Sequence, residues 1–134
     1  MKPVVLDASA GIEMVLGKHH PARIRQELED APRVLSSSLY PAEVTNVLRK
    51  YHVGGVINGA MAGQLLGLVL GVVDEYHDTL DFTAEALRES IRSGHSAYDM
   101  FYFTLARRFD ARLISMDRRL NRLAGDAGID IVDL

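Results

Sequence analysis

Val4-Val5-Leu6-Asp7-Ala8-Ser9 is the stretch on which the fold turns. Three apolar residues without a polar break read as a strand covered on both faces, as strands of a parallel sheet are. An acid directly behind such a strand stands at the carboxyl edge of the sheet. Outward from there the chain alternates. A helix is expected from about Ala10 to Leu16 with Ser9 as its cap, and Pro21 suits the first turn of a second, which turns Ile24 and Leu28 inward. Val34-Leu35 is the next strand. Pro41 opens a helix whose Val44, Val47, Leu48 and Tyr51 share one face, and Gly54-Gly55 ends it.

A further helix spans about Gly59 to Val73, and Thr79 to Phe82 reads as extended. Thr83 caps a helix through Ile91, and Ser96 caps one that buries Tyr98, Phe101, Tyr102 and Leu105. Leu113-Ile114 is a strand, Asp117 to Ala124 a short helix, and Ile129 to Val132 a last strand after Gly128. Strands alternating with helices give an α/β fold, a parallel sheet between helical layers.

The chain of 134 residues, 48% hydrophobic, is expected to form a single domain over 1–134. Charged residues make up 25% and are dispersed, which excludes a disordered or collagen-like chain. The absence of cysteine removes disulfide, zinc-thiolate and thiol-nucleophile chemistry. No signal-peptide core follows Met1, and the apolar stretch from Leu65 to Val73 is far shorter than the roughly 20 residues of a membrane span. A soluble, cytoplasmic protein without a membrane partner is the expectation.

The net charge of −3 argues mildly against binding nucleic acid by overall charge. Arg107, Arg108, Arg112, Arg118, Arg119 and Arg122 nevertheless crowd one stretch. They are either a solvated helix surface or a patch that tracks phosphates.

Ligands of open parallel sheets bind outside the carboxyl ends of the strands. Asp7 and Asp117 each follow a strand. Glu43 and Asp99 fall in the first turns of helices that start at the same edge. Each alone has an ordinary account: a helix's first turn favours a carboxylate, and Ser96 with Asp99 has the spacing of a capping box. Four together do not. Two carboxylates about 4 Å apart repel by roughly 4 kcal/mol at an effective dielectric of 20, so such a cluster needs protons or a cation. Oxygen ligands in this number suit Mg²⁺ or Mn²⁺. Such an ion lowers the pKa of a bound water and neutralises a phosphoryl oxygen under attack. Ser9, Ser115 and Asn46 stand close enough in sequence to support the acids.

VVLDAS, PAEVTNVL, SAYDMFYFTLARR and LISMDRRL resemble, in order and spacing, the four acidic motifs of PIN domains. They are especially similar to the VapC-type toxins of prokaryotic toxin–antitoxin pairs, and the resemblance spans nearly the whole chain. It implies a three-layer fold with a five-stranded parallel sheet and a Mg²⁺ or Mn²⁺ site. It also implies endonucleolytic cleavage of RNA, a homodimer and an antitoxin that blocks the groove. By position it makes Asp7, Glu43, Asp99 and Asp117 the catalytic and metal-site residues, with Ser9 and Ser115 in support; Ser115 stands where threonine is more usual. An RNA-processing nuclease without an antitoxin and an inactive PIN-like binding module are the alternatives.

Other acid-based folds fit less well. A phospho-acceptor receiver wants an acidic pair by the first strand and a lysine after a late one. Asp7 stands alone, and the only lysines are Lys2, Lys18 and Lys50. A haloacid-dehalogenase-like phosphatase would carry a second Asp where Ser9 stands. No glycine-rich phosphate loop follows Leu6. Gly59, Gly63, Gly67 and Gly71 form a small-residue stripe on one helix face, either an association surface or internal packing. The histidines lack ligand spacing; His95, just before the Asp99 helix, either approaches the phosphate or, as the favoured reading, is a loop residue with no role.

Overall fold

The computed structural model describes residues 1–134. Strand β1 (Val4–Leu6) is followed by α1 (Ala8–Leu16), α2 (Pro21–Asp30), β2 (Val34–Ser37), α3 (Leu39–Val53) and α4 (Gly59–Gly71). Then come β3 (Glu75–His77), α5 (Thr83–Ser93), α6 (Ala97–Arg108), β4 (Arg112–Ile114) and α7 (Arg118–Asp126). All strand pairs are parallel and the sheet order is β3-β2-β1-β4. Val4, Val5 and Leu6 are completely enclosed, as an unbroken apolar run in the middle of a parallel sheet requires. Helix α6 lies across β1, β2 and β4 with α5 behind it, while α1 gathers α2, α3 and α4.

The strand order reverses beside β1: the chain crosses to β2 in one direction and returns later to β4 in the other. Such a switch point leaves a crevice at the carboxyl ends of the two strands. Asp7 ends β1 there, and Ser115 ends β4. Gly11 keeps this region compact, since a Cβ at that position would run into the Tyr40 ring of α3.

Several boundaries differ from those expected. Asp7, not Ser9, caps α1: its carboxylate accepts from the Ala10 amide at 2.9 Å, and the helix starts at Ala8. Helix α3 begins at Leu39, two residues before Pro41, so Glu43 belongs to its second turn. Residues Thr79–Phe82 form a 3₁₀ turn capped by Asp78, and the extended segment lies earlier, at Glu75–His77. Asp117 is the cap of α7 and not its first helical residue. Tyr98 points to solvent, although Tyr102 and Leu105 of the same helix are buried.

The sheet has four strands where five were expected. The last segment makes a single parallel bridge, Ile131 to Leu113, held by Leu113 N–H to Asp130 O at 2.8 Å and Val132 N–H to Leu113 O at 2.9 Å. It lies where the fifth strand was expected, but it makes one bridge and no ladder. The glycine stripe of α4 is exposed, and nothing in the chain lies within 4 Å of a Cβ added at Gly59, Gly63, Gly67 or Gly71. Internal close packing therefore does not account for it.

Candidate active site

Asp7 is the innermost of the acids, with 3% of its surface exposed. Oδ1 accepts from the Ser9 hydroxyl at 2.7 Å and from the Ala10 amide at 2.9 Å. Oδ2 accepts a very short bond from the Ser115 hydroxyl, across the crevice between β1 and β4. Both serines are themselves fixed. Ser9 Oγ accepts from Met116 N–H at 3.0 Å, and Ser115 Oγ accepts from Asp117 N–H at 3.0 Å. Burial raises the Asp7 carboxyl to about 6, against the lowering effect of its three donors, and the charge of Asp99 adds to the rise.

Asp99 lies at the centre of the group. Its carboxylate does not complete a capping box: Ser96 Oγ accepts from Tyr98 N–H at 3.2 Å, while Asp99 Oδ2 meets His95 Nε2 at 2.8 Å. The same nitrogen lies 3.9 Å from Asp117 Oδ2. The ligand atoms of His95, Asp99 and Asp117 all fall within 4.8 Å of one another. Asp117 uses Oδ1 to cap α7, accepting from Arg119 and Leu120 amides at 2.9 and 3.1 Å, which leaves Oδ2 facing the centre.

Glu43 reaches the group from α3. Tyr102, one turn beyond Asp99 on α6, donates its hydroxyl to Glu43 Oε1 at 2.6 Å. Burial raises the Glu43 carboxyl; the Tyr102 bond lowers it, and the charge of Asp99 raises it. Tyr102 is pushed up in turn, by burial first and then by Glu43. The four predicted acids thus share one rim, Asp7 and Glu43 each coupled to Asp99 and Asp117 beside it. No lysine or arginine pairs with any of them.

Ser9 and Ser115 hold Asp7, as their spacing suggested. Asn46 does not join them; it is exposed on α3 and forms no hydrogen bond to the acids. Two residues not assigned from sequence do join. His95 lies in the loop before α6, as expected, but is buried between Asp99 and Asp117, where the favoured reading gave it no role. The sequence pattern puts Tyr102 on the buried face of α6 without a bond to an acid. The signal for it was available, because three positions on a helix return to the same face as Asp99.

A family model for the PIN domain matches residues 4–126. The chain belongs to the PIN-domain family, a family of nucleases. Among solved structures it is similar to PAE2754 from Pyrobaculum aerophilum, with TM-score 0.73 and 20% identity over 95% of this chain and 96% of that one. It is similar to VapC20 of Mycobacterium tuberculosis, a sarcin-ricin loop cleaving toxin, with TM-score 0.69 and 17% identity over 90% and 94% of the two chains. FitAB bound to a DNA fragment gives TM-score 0.64 and 15% identity over 96% of this chain and 93% of that chain. At these identities the likeness is one of fold. No curated protein matches the chain by sequence.

Proposed function

We propose that this chain is a divalent-metal-dependent endoribonuclease that serves as the toxin of a toxin–antitoxin pair. The observation that carries the reading is a rim of four carboxylates, Asp7, Glu43, Asp99 and Asp117, with no lysine or arginine paired to them. A raised, fully buried Asp7 and a raised Glu43 are what a cation site looks like without its charge. Hard oxygen donors with few nitrogens fit Mg²⁺ or Mn²⁺ better than a thiophilic metal. His95 adds an imidazole, which Mn²⁺ accepts more readily than Mg²⁺ does.

Asp7, Glu43, Asp99 and Asp117 would hold the ion. When bound it supplies an acidified water and charge neutralisation at the phosphoryl oxygen. The chain's own residues do the rest. Ser9, Ser115 and the Ala10 amide fix the Asp7 carboxylate and leave Oδ2 a free lone pair. His95 keeps Asp99 oriented toward Asp117. We assign Glu43 the proton of the attacking water: Oε2 accepts no bond within the chain, and burial makes the carboxylate a stronger base.

The likeness to a toxin that cleaves the sarcin-ricin loop supports RNA as substrate and the toxin role, and with that role an antitoxin as partner. A homodimer and a cytoplasmic location belong to the same reading; no helix is long and apolar enough to cross a membrane. The test is cleavage of single-stranded RNA by the purified chain. Activity with Mg²⁺ or Mn²⁺ that vanishes in excess EDTA and returns on adding the metal is the expected result. Undiminished activity in EDTA sinks the metal mechanism. A short open reading frame abutting this one, whose product abolishes cleavage, is the expected signature of the toxin role.

A further inference from the structure

The six arginines between Arg107 and Arg122 separate into two sets. Arg107 is bound by Glu85 at 2.6 Å and Glu89 at 3.1 Å, Arg108 by Glu85 at 2.9 Å, and Arg112 by Glu27 at 2.8 Å. Arg107 and Arg108 tie α6 to α5, Arg112 ties β4 to α2, and the charge of all three is already paired. Arg118, Arg119 and Arg122 on α7 are exposed and pair with no carboxylate; Arg119 reaches only the Gly94 carbonyl, at 3.5 Å. Their helix is capped by Asp117 and begins at Arg118, so the free charges start one residue beyond the acidic rim.

Arg118 and Arg122 line a cleft of about 630 Å³. His19 and His20, in the connection between α1 and α2, line it too, together with Ser115, Met116 and the segment from Ile131. Asp133 is the single carboxylate side chain on the lining. Ser115 is the residue that donates to Asp7, so one lining residue of the cleft touches the innermost acid. Its volume lies within the roughly 300–1,000 Å³ of small-molecule sites, enough for a nucleotide-sized piece of a chain. An acidic centre repels a phosphodiester strand, and guanidiniums next to it are what would hold the strand in place.

We propose that the cleft between His19-His20 and the Arg118/Arg122 face of α7 is a phosphate subsite that holds single-stranded RNA beside the acidic rim. The proposal rests on the nuclease reading above. It takes Arg118 and Arg122 as positioning residues that bind backbone without reading base sequence. An acidic segment of a protein partner is the competing occupant. RNA is favoured because two of the lining residues adjoin the rim where a phosphate would be cut: Ser115 donates to Asp7, and Arg118 follows Asp117.

Binding is measured by anisotropy of a fluorescein-labelled single-stranded RNA with Mg²⁺, in an Asp99→Asn background that prevents cleavage. The double change Arg118→Ala, Arg122→Ala should weaken binding roughly tenfold at low salt. It should also reduce the slope of log affinity against log salt by about 1.4, because two phosphates are no longer neutralised. Arg118→Lys, Arg122→Lys should restore most of the slope. The control removes the same charge elsewhere: Arg49→Ala, Arg88→Ala, two exposed arginines outside the cleft, should change neither quantity. With Asp99 intact, the cleft variant should raise KM and leave kcat within about twofold, as removal of uniform binding does.

Equal effects from the cleft and control pairs overturn the subsite. So does a loss in kcat with KM unchanged, or intact RNA binding with lost affinity for the product of the abutting reading frame. If the parent protein cleaves no RNA but the cleft pair still sets RNA affinity and slope, the nuclease reading fails and the subsite stands.

Discussion

Glu89 and Asp7 are both buried carboxylates, yet the chain treats them in opposite ways. Glu89 sits between α5 and α6, where Arg107 and Arg92 bond to it and hold it below the usual carboxylate range although burial alone would raise it. Glu85 beside it is lowered in the same way by Arg107 and Arg108. Asp7 receives only neutral donors and has Asp99 near it, and burial carries it up to about 6. One region closes its charges internally and binds two helices. The other leaves its charges open at the carboxyl ends of β1 and β4, where the topology provides a crevice. Folding stability explains the first arrangement. It is opposed by the second, which points to a ligand.

The largest effect that could break this contrast is expected at Asp7. Asp7→Asn should lower RNA cleavage by more than about 100-fold, in the range of lost catalytic electrostatics. It should spare the fold, because Asn caps a helix as well as Asp does. Stability gives an independent readout in EDTA. A carboxyl raised in the folded state contributes stability that is complete below its unfolded value of 3.8 and lost as pH rises through about 6. The parent protein should therefore lose up to roughly 3 kcal/mol relative to Asp7→Asn between pH 4 and pH 8, to order of magnitude. Chemical denaturation of both proteins at several pH values measures it. Parallel profiles would mean that Asp7 is not held at a charge-repelling site.

Arg107→Ala tests the closed region. It removes the common partner of Glu85 and Glu89 and leaves the buried Glu89 with only Arg92. Destabilisation of roughly 1–3 kcal/mol is expected, the cost of an underpaired buried polar group. Cleavage per folded molecule should stay near the parent's, since Arg107 pairs with no rim acid. A melt and a rate on the same sample decide it. A large loss of rate without loss of stability would erase the division between the regions.

The two regions were not equally legible in the sequence. Asp7 follows an apolar strand directly and Asp117 follows another by three residues, and a parallel sheet sends the ends of such strands to one edge, so local pattern and topology bring them together. The contacts that define the closed region join residues such as Arg107 and Glu85, or Arg112 and Glu27, which are far apart in the chain. Six clustered arginines look alike until those partners are known. Strand β3 was missed because Glu75-Tyr76-His77 is a short edge strand with a polar sequence, paired on one side only. The cap of α1 was misplaced because Asp7 and Ser9 compete for the same amides; the serine hydroxyl is turned instead toward Asp7 and Met116. His95 shows in sequence only its place before the Asp99 helix; the contact with two acids comes from α6 and α7 bringing them to it.

The smallest expected effect belongs to Tyr102, whose hydroxyl joins the buried core to the open rim. Tyr102→Phe keeps the ring in place and removes the donor at 2.6 Å from Glu43 Oε1. That bond opposes the rise that burial and Asp99 impose on Glu43, so its loss moves the Glu43 carboxyl further up. If Glu43 must be ionised to accept the water's proton, the acid limb of kcat/KM shifts to higher pH. The deficit should reach about tenfold at the acidic end, the worth of one charge-assisted bond of ~1.5 kcal/mol, and disappear toward pH 8. Higher Mg²⁺ should shrink it, because a cation beside Glu43 favours the ionised form just as the phenol did. A pH–rate series on the two proteins at low and high Mg²⁺ makes the measurement. An equal loss at every pH would reduce Tyr102 to packing, and no loss at any pH would remove Glu43 from the proton transfer.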